Sequence, residues 1–336
     1  MSKFLPLIVG LNGIELSENE KKFILEYKPW GIILFERNCR TYLELLKLIE
    51  NLKKYTHENL PILIDQEGGR VSRLNFPEFP KTLPAKTFGS LYLKDKQSAI
   101  KALTLNTKLI AYSLKQIGIN VNTAPVLDLP IKNESGVIGD RAYGSDKNLV
   151  SEMAKNVLNV NSAYGIASVI KHIPGHGKAT LDSHFDLPKI LDEANILENE
   201  DFIPFIELNS APLAMTAHAI YTAYDKINAA TLSSKIINEI IREKIGFEGV
   251  LMSDDISMKA MSPDVANNSL AALNAGCDLV LHCNGDIDEM ILIANRILDL
   301  DLIEVSETLL NIFKNEKSLD VTETQRELTH ILNGTN

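Results

Sequence analysis

The chain has 336 residues, 45% of them hydrophobic and 23% charged, a globular composition that excludes a disordered or collagen-like polymer. Lysine and arginine number 34 against 44 aspartates and glutamates, and the net charge of −10 excludes the basic footprint of a nucleic-acid binder. No run of about 18 apolar residues is present, so no membrane span is expected.

The N-terminal stretch MSKFLPLIVGLNG has one lysine and no small-residue cleavage site, which argues against a signal peptide. Cys39, Cys277 and Cys283 lack metal-type spacing and read as reduced thiols of a cytoplasmic protein.

Apolar segments recur in chain order at Leu5–Leu11, Gly31–Phe35, Pro61–Asp65, Ile119–Pro125, Ala167–Lys171, Leu213–His218, Val250–Ser253 and Asp278–His282. They are continuous rather than alternating, as strands buried on both faces should be. Helix-period stretches lie between them at Thr41–Tyr55, Ser98–Gln116, Asn148–Tyr164, Ser233–Lys244 and Asp288–Leu298. Ser17 with Glu20 fits a capping box, and Gly118, Gly165 and Gly246 follow helix ends. This alternation predicts an α/β chain folded as a (β/α)8 barrel. A doubly wound sheet is disfavoured because no Gly-rich fingerprint follows the first strand. Gln66–Lys96, with three prolines, reads as a long loop, and Val305–Lys314 as the last helical segment. One domain over residues 1–336 is expected.

Barrel enzymes carry their sites at the C-terminal ends of the strands. The residues just past the predicted strands are Asp65-Gln66-Glu67, Asp128, Lys171-His172, His218 and Asp254-Asp255. A single aspartate there is ordinarily a helix cap or a solvated charge, but five strands ending alike favour a site. His172 and His176 are four apart, yet Pro174, Gly175 and Gly177 oppose the helix that would bring them together on a metal. A phosphate loop fails because His172 and Ala179 stand where it needs glycine and a hydroxyl residue.

Acid–base chemistry remains. In Asp182-Ser183-His184 a carboxylate can orient an imidazole that titrates near neutrality. Asp254 and Asp255 are adjacent at a strand end and so face opposite ways; one is expected to be a nucleophile and the other to cap a helix starting near Ser257.

Ile64–Val71, Lys171–Gly177, Asp182–His184 and Ser253–Met258 together resemble the β-N-acetylglucosaminidases of glycoside hydrolase family 3, most nearly the single-domain bacterial cytoplasmic enzymes of peptidoglycan recycling. The resemblance implies a retaining mechanism with Asp254 as nucleophile, His184 as acid/base and Asp182 as its orienting partner. It implies sugar contacts at Asp65, Arg73, Arg141, Lys171 and His172, with His218 a further pocket position. For Arg141 the plain alternative is a salt bridge to its neighbour Asp140, and Glu67, Arg70 and His176 are expected to support loops. The loop carrying His184 is expected to close over the sugar.

The resemblance further implies removal of terminal β-linked N-acetylglucosamine from anhydro-muropeptides by a monomer. Neither cofactor nor metal is expected, nor a nucleic-acid or membrane partner. The competing readings are a phosphorylase on the same barrel, a non-catalytic sugar-binding barrel and, last, a metal-dependent hydrolase.

Overall fold

A computed structural model describes residues 3–131, 138–179, 187–258, 261–262 and 264–334. All eight apolar runs become parallel strands: β1 Lys3–Gly10, β2 Pro29–Leu34, β3 Ile62–Ile64, β4 Val121–Asn122, β5 Ala167–Ile173, β6 Leu213–Thr216, β7 Val250–Asp255 and β8 Leu279–His282. Each pairs with its neighbour in chain order, and β8 returns to β1 through Leu7–Val280 and Ile8–Leu281, so the sheet closes into the expected barrel.

Side chains alternate along each strand, so one set fills the barrel and the other meets the helices. Ile8, Ile33, Leu63, Val121, Val169, Leu213, Met252 and Leu279 form the interior. Leu7, Ile32, Ile64, Ile170, Ala214, Leu251 and Val280 belong to the outer layer. At the N-terminal end of the strands Phe4 and Trp30 pack against Val305, Leu309 and Phe313. Residues 303–304 pair antiparallel with β1, and Trp30 Nε1 donates to the Glu304 carbonyl at 3.3 Å. This apolar plug fills one end of the barrel and leaves the polar strand ends at the other.

The helices begin and end where local chemistry allows. Ser17 and Glu20 form the capping box of Glu18–Tyr27, and the Glu20 carboxylate also accepts the Asn12 amide at 3.0 Å, tying the loop after β1 to that helix. Gly118 closes Lys96–Ile117 at φ 94°, a left-handed conformation that suits glycine.

Four local expectations are corrected. The Gln66–Lys96 stretch contains a helix, Ala85–Tyr92, held by buried Phe88 and Leu91. Eight residues are too few to show a period, and at Gly89 a Cβ would lie 1.6 Å from the Tyr143 carbonyl oxygen, so helix and loop approach as only glycine permits. The chain continues past Lys314 into a helix over Val321–Gly334 whose buried residues are only Thr324 and Leu328, too thin a stripe to read. Ile236–Lys244 is helical as expected but wound with i→i+5 bonds, which Ile245 N–H extends to the Ile240 carbonyl. The helix expected near Ser257 starts at Val265, capped by Asp264. Among the described residues no helix is long and apolar enough to cross a membrane.

Candidate active site

The barrel mouth is built around a buried cation. Lys171, at the end of β5, is 2% exposed and reaches Asp65 at 3.1 Å and Glu67 at 2.7 Å, with Thr123 Oγ1 at 3.1 Å. Arg73 holds the other oxygen of Asp65 at 2.9 Å, and Arg141 grips Glu67 through two bonds of 2.8 Å. Burying so many charges is tolerable only because each faces an opposite one. Burial alone would raise the carboxyl pKa values, but Lys171 and Arg141 overcome it and hold Glu67 at about 2. Lys171 and Arg73 likewise hold Asp65 well below the usual carboxylate range. The same carboxylates raise Lys171 against the burial that would lower it. The cluster is therefore fully ionised at neutral pH.

Gln66 keeps Asp65 and Glu67 in place. Its backbone exchanges hydrogen bonds of 3.0 Å with the Asn122 side chain, and its own side-chain oxygen accepts the Arg73 amide at 2.8 Å and the Leu74 amide at 3.2 Å. Between Lys171 and Ile173 the ladder from β5 to β6 shifts register. The extra residue allows Lys171 and His172 to face the mouth together.

His172 is set by Asp128, which is fully buried beyond β4. The Asp128 carboxylate accepts His172 Nδ1 at 2.7 Å, the His172 amide at 3.3 Å and the His176 amide at 2.7 Å. Against the desolvation that raises it, His172 and the His176 amide hold Asp128 at about 2. An ionised Asp128 only accepts, so Nδ1 carries the proton, and Nε2, with no protein partner among the described residues, is the nitrogen offered to a ligand. Burial, with His172 nearby, lowers His176.

The two aspartates ending β7 differ in their partners. Asp255 accepts the Ser257 amide at 3.0 Å, the Ser257 hydroxyl at 2.8 Å and the Cys283 amide at 3.1 Å, so it pins a turn rather than a helix start. Among the described residues Asp254 accepts only the Asp255 amide, at 2.8 Å. Burial raises its pKa, but His218, His172 and Lys171 outweigh that and keep it below the ordinary value. It is an ionised carboxylate with lone pairs to spare.

Asp65, Arg73, Arg141, Lys171, His172 and Asp254 thus converge on one mouth. His218 lies beside Asp254, wholly buried, with Nδ1 2.7 Å from Thr231 Oγ1 and Nε2 3.0 Å from the Asp255 carbonyl. Both nitrogens are engaged, so His218 is tied to Thr231 and to the end of β7. Asp182 and His184 lie outside the described residues. Arg141 pairs with Glu67 and not with Asp140, which takes Arg70 at 2.7 Å. Glu67, read as loop support, belongs to the charged cluster, and Asp128 is the residue that sequence reasoning left without a role. Its position just past β4 was the available signal. Among the described residues no three His, Cys, Asp or Glu side chains are grouped to hold a metal.

The depressed carboxyl pKa values fix the acid limb of stability. Such groups stabilise the fold fully above their unfolded values and lose that contribution as pH falls through the folded ones. The window runs from 4.5 to about 2 for Glu67 and from 3.8 to about 2 for Asp128. The urea midpoint is expected to hold down to about pH 5 and fall steeply below it. Glu67→Gln should flatten that fall, and an equal acid slope in variant and wild type would contradict the assignment.

Residues 6–312 match the model of the glycosyl hydrolase family 3 N-terminal domain. A β-hexosaminidase of Alkalilimnicola ehrlichii is 38% identical over 285 residues, 83% of this chain and 80% of that protein. One of Xanthomonas euvesicatoria is 33% identical, covering 84% of each. Among solved structures, NagZ from Neisseria gonorrhoeae in complex with N-trifluoroacetyl-D-glucosamine superposes with a TM-score of 0.86 at 27% identity, covering 98% of both chains. A family 3 β-N-acetylglucosaminidase from Paenibacillus sp. has a TM-score of 0.78 at 29% identity, over 96% of this chain and 61% of that one.

Proposed function

We propose, for a chain that belongs to glycosyl hydrolase family 3, a retaining exo-β-N-acetylglucosaminidase that acts on anhydro-muropeptides in cytoplasmic peptidoglycan recycling. The coarse activity, a glycoside hydrolase of the β-N-acetylhexosaminidase type, follows from the family and its curated relatives. The observation that supports the finer reading is Asp254, ionised, bound among the described residues only by one backbone amide, and facing the cluster of Lys171, Asp65 and His172.

In this reading the Asp254 carboxylate attacks the anomeric carbon while His184 gives its proton to the glycosidic oxygen, and the aglycone leaves as an alcohol. Asp182 stabilises the imidazolium beforehand. The now neutral His184 then takes a proton from water, whose oxygen displaces Asp254 and restores the carboxylate, and N-acetylglucosamine leaves with its configuration retained. Asp65, Lys171 and Arg73 hold ring hydroxyls through charge-assisted hydrogen bonds, which reject sugars lacking them. The protein acts as a monomer on a small carbohydrate.

The test is the initial rate of aryl release from an aryl β-N-acetylglucosaminide with and without phosphate. Free N-acetylglucosamine in phosphate-free buffer is expected, followed by the same sugar from a disaccharide peptide ending in anhydro-N-acetylmuramic acid. Sugar phosphate as the main product would make the protein a phosphorylase. Sugar binding without turnover would leave a binding barrel.

A further inference from the structure

Beside the site, above β1 and β2, opens a cleft of about 550 Å³ whose lining includes Ile14, Glu36, Arg37, Arg40, Arg73 and Asn75. The lining carries three arginines and one glutamate.

The three are not equivalent. Arg40 is paired with Glu44, and Arg73 with Asp65. Arg37 donates Nε to the Leu11 carbonyl at 2.7 Å and Nη2 to the Cys283 carbonyl, two neutral acceptors. No carboxylate pairs with it among the described residues. Its guanidinium also stacks on the Phe35 ring, 4.9 Å from the centroid, and the Arg73 guanidinium lies 5.5 Å from the same ring. Phe35 thus gathers two cations, of which Arg73 pairs with Asp65, a carboxylate that Lys171 also holds. Of its five N–H groups Arg37 uses two among the described residues, which leaves three for a ligand, in a fork that matches a carboxylate.

The cleft adjoins the sugar position. Arg73 reaches from it to Asp65, and the Cys283 carbonyl bound by Arg37 belongs to the residue whose amide donates to Asp255. In an exo-acting enzyme, whatever lies beyond the terminal sugar is the aglycone. We propose that this cleft binds a carboxylate of the aglycone, with Arg37 as its principal partner and Arg40 at the rim. Glu36 on the same lining moderates the field, which suits a singly charged carboxylate over a doubly charged phosphate. The inference rests on the β-N-acetylglucosaminidase reading.

The test compares aryl β-N-acetylglucosaminides carrying a carboxylate on tethers of different length with their methyl esters. Wild-type enzyme is expected to favour at least one acid over its ester by about tenfold in kcat/KM, mainly through KM, and the preference should shrink with added salt. Arg37→Gln should remove the preference and leave ester kinetics unchanged, and Arg40→Gln should reduce it. Two results overturn the proposal: no acid preferred at any tether length, or equal impairment of acid and ester by Arg37→Gln, which would make Arg37 only a stitch between β1 and β8. If no glycoside is turned over, the glycosidase reading fails on its own. Calorimetry of acid and ester then reads the cleft separately, tighter binding of the acid supporting it and equal affinity refuting it.

Discussion

Asp254→Asn is expected to lower kcat for an aryl β-N-acetylglucosaminide by about four orders of magnitude, the scale seen when a covalent nucleophile is removed. Asparagine keeps an oxygen for the Asp255 amide, so the geometry at the end of β7 should survive. Affinity for N-acetylglucosamine, measured by calorimetry, should stay within a few-fold, because the residues assigned to its hydroxyls are untouched. The thermal midpoint should fall modestly at neutral pH, since His218, His172 and Lys171 outweigh the burial penalty on the charged Asp254 and a neutral amide forgoes that net attraction. Turnover near the wild-type rate would move the nucleophile elsewhere.

Lys171→Met is the second large effect, and it acts on fold and site together. Methionine fills a similar volume but leaves Asp65 and Glu67 facing each other without the cation between them. Arg73 and Arg141 still hold one carboxylate each, so the fold should persist with a loss of about 3–5 kcal/mol at neutral pH. The sign of its pH dependence follows from the same geometry. Without Lys171 the two carboxyl pKa values rise, the protons they accept below about pH 5 cost less stability, and the variant should approach wild type as pH falls. Sugar affinity should drop roughly ten- to hundredfold with the lost charged hydrogen bonds. Urea denaturation at pH 7 and pH 4, with N-acetylglucosamine titrations, checks both parts. A neutral-pH loss that does not shrink at pH 4 would show that packing, and not charge, dominates the position.

The barrel was legible because buried parallel strands write themselves as uninterrupted apolar runs, and eight such runs survive in the structure with shifted ends. The site was legible for a related reason: Asp65, Lys171, His172 and Asp254 each interrupt such a run at its C-terminal end. Pairing was not. Arg141 has an acid beside it in sequence, yet its partner Glu67 is 74 positions away, and nothing local distinguishes the two. Asp128 looks like any aspartate after a strand, since its work is to gather residues 44 and 48 positions downstream. His218 could be read as a pocket position, but that both its nitrogens are engaged depends on Thr231 and on the Asp255 carbonyl. Short or sparsely buried helices, Ala85–Tyr92 and Val321–Gly334, carry too little hydrophobic signal for their period to show.

The apolar plug of Trp30, Leu309 and Phe313 has a bearing on the timing of turnover. With the lower end of the barrel packed shut, arrival and departure share the upper doorway. In the proposed retaining mechanism the severed aglycone clears that doorway before the attacking water takes its place, and the freed sugar leaves last by the same route. A substrate gripped strongly beyond the sugar would therefore delay the second half of its own reaction, so tight recognition of the leaving part and fast cycling pull against each other.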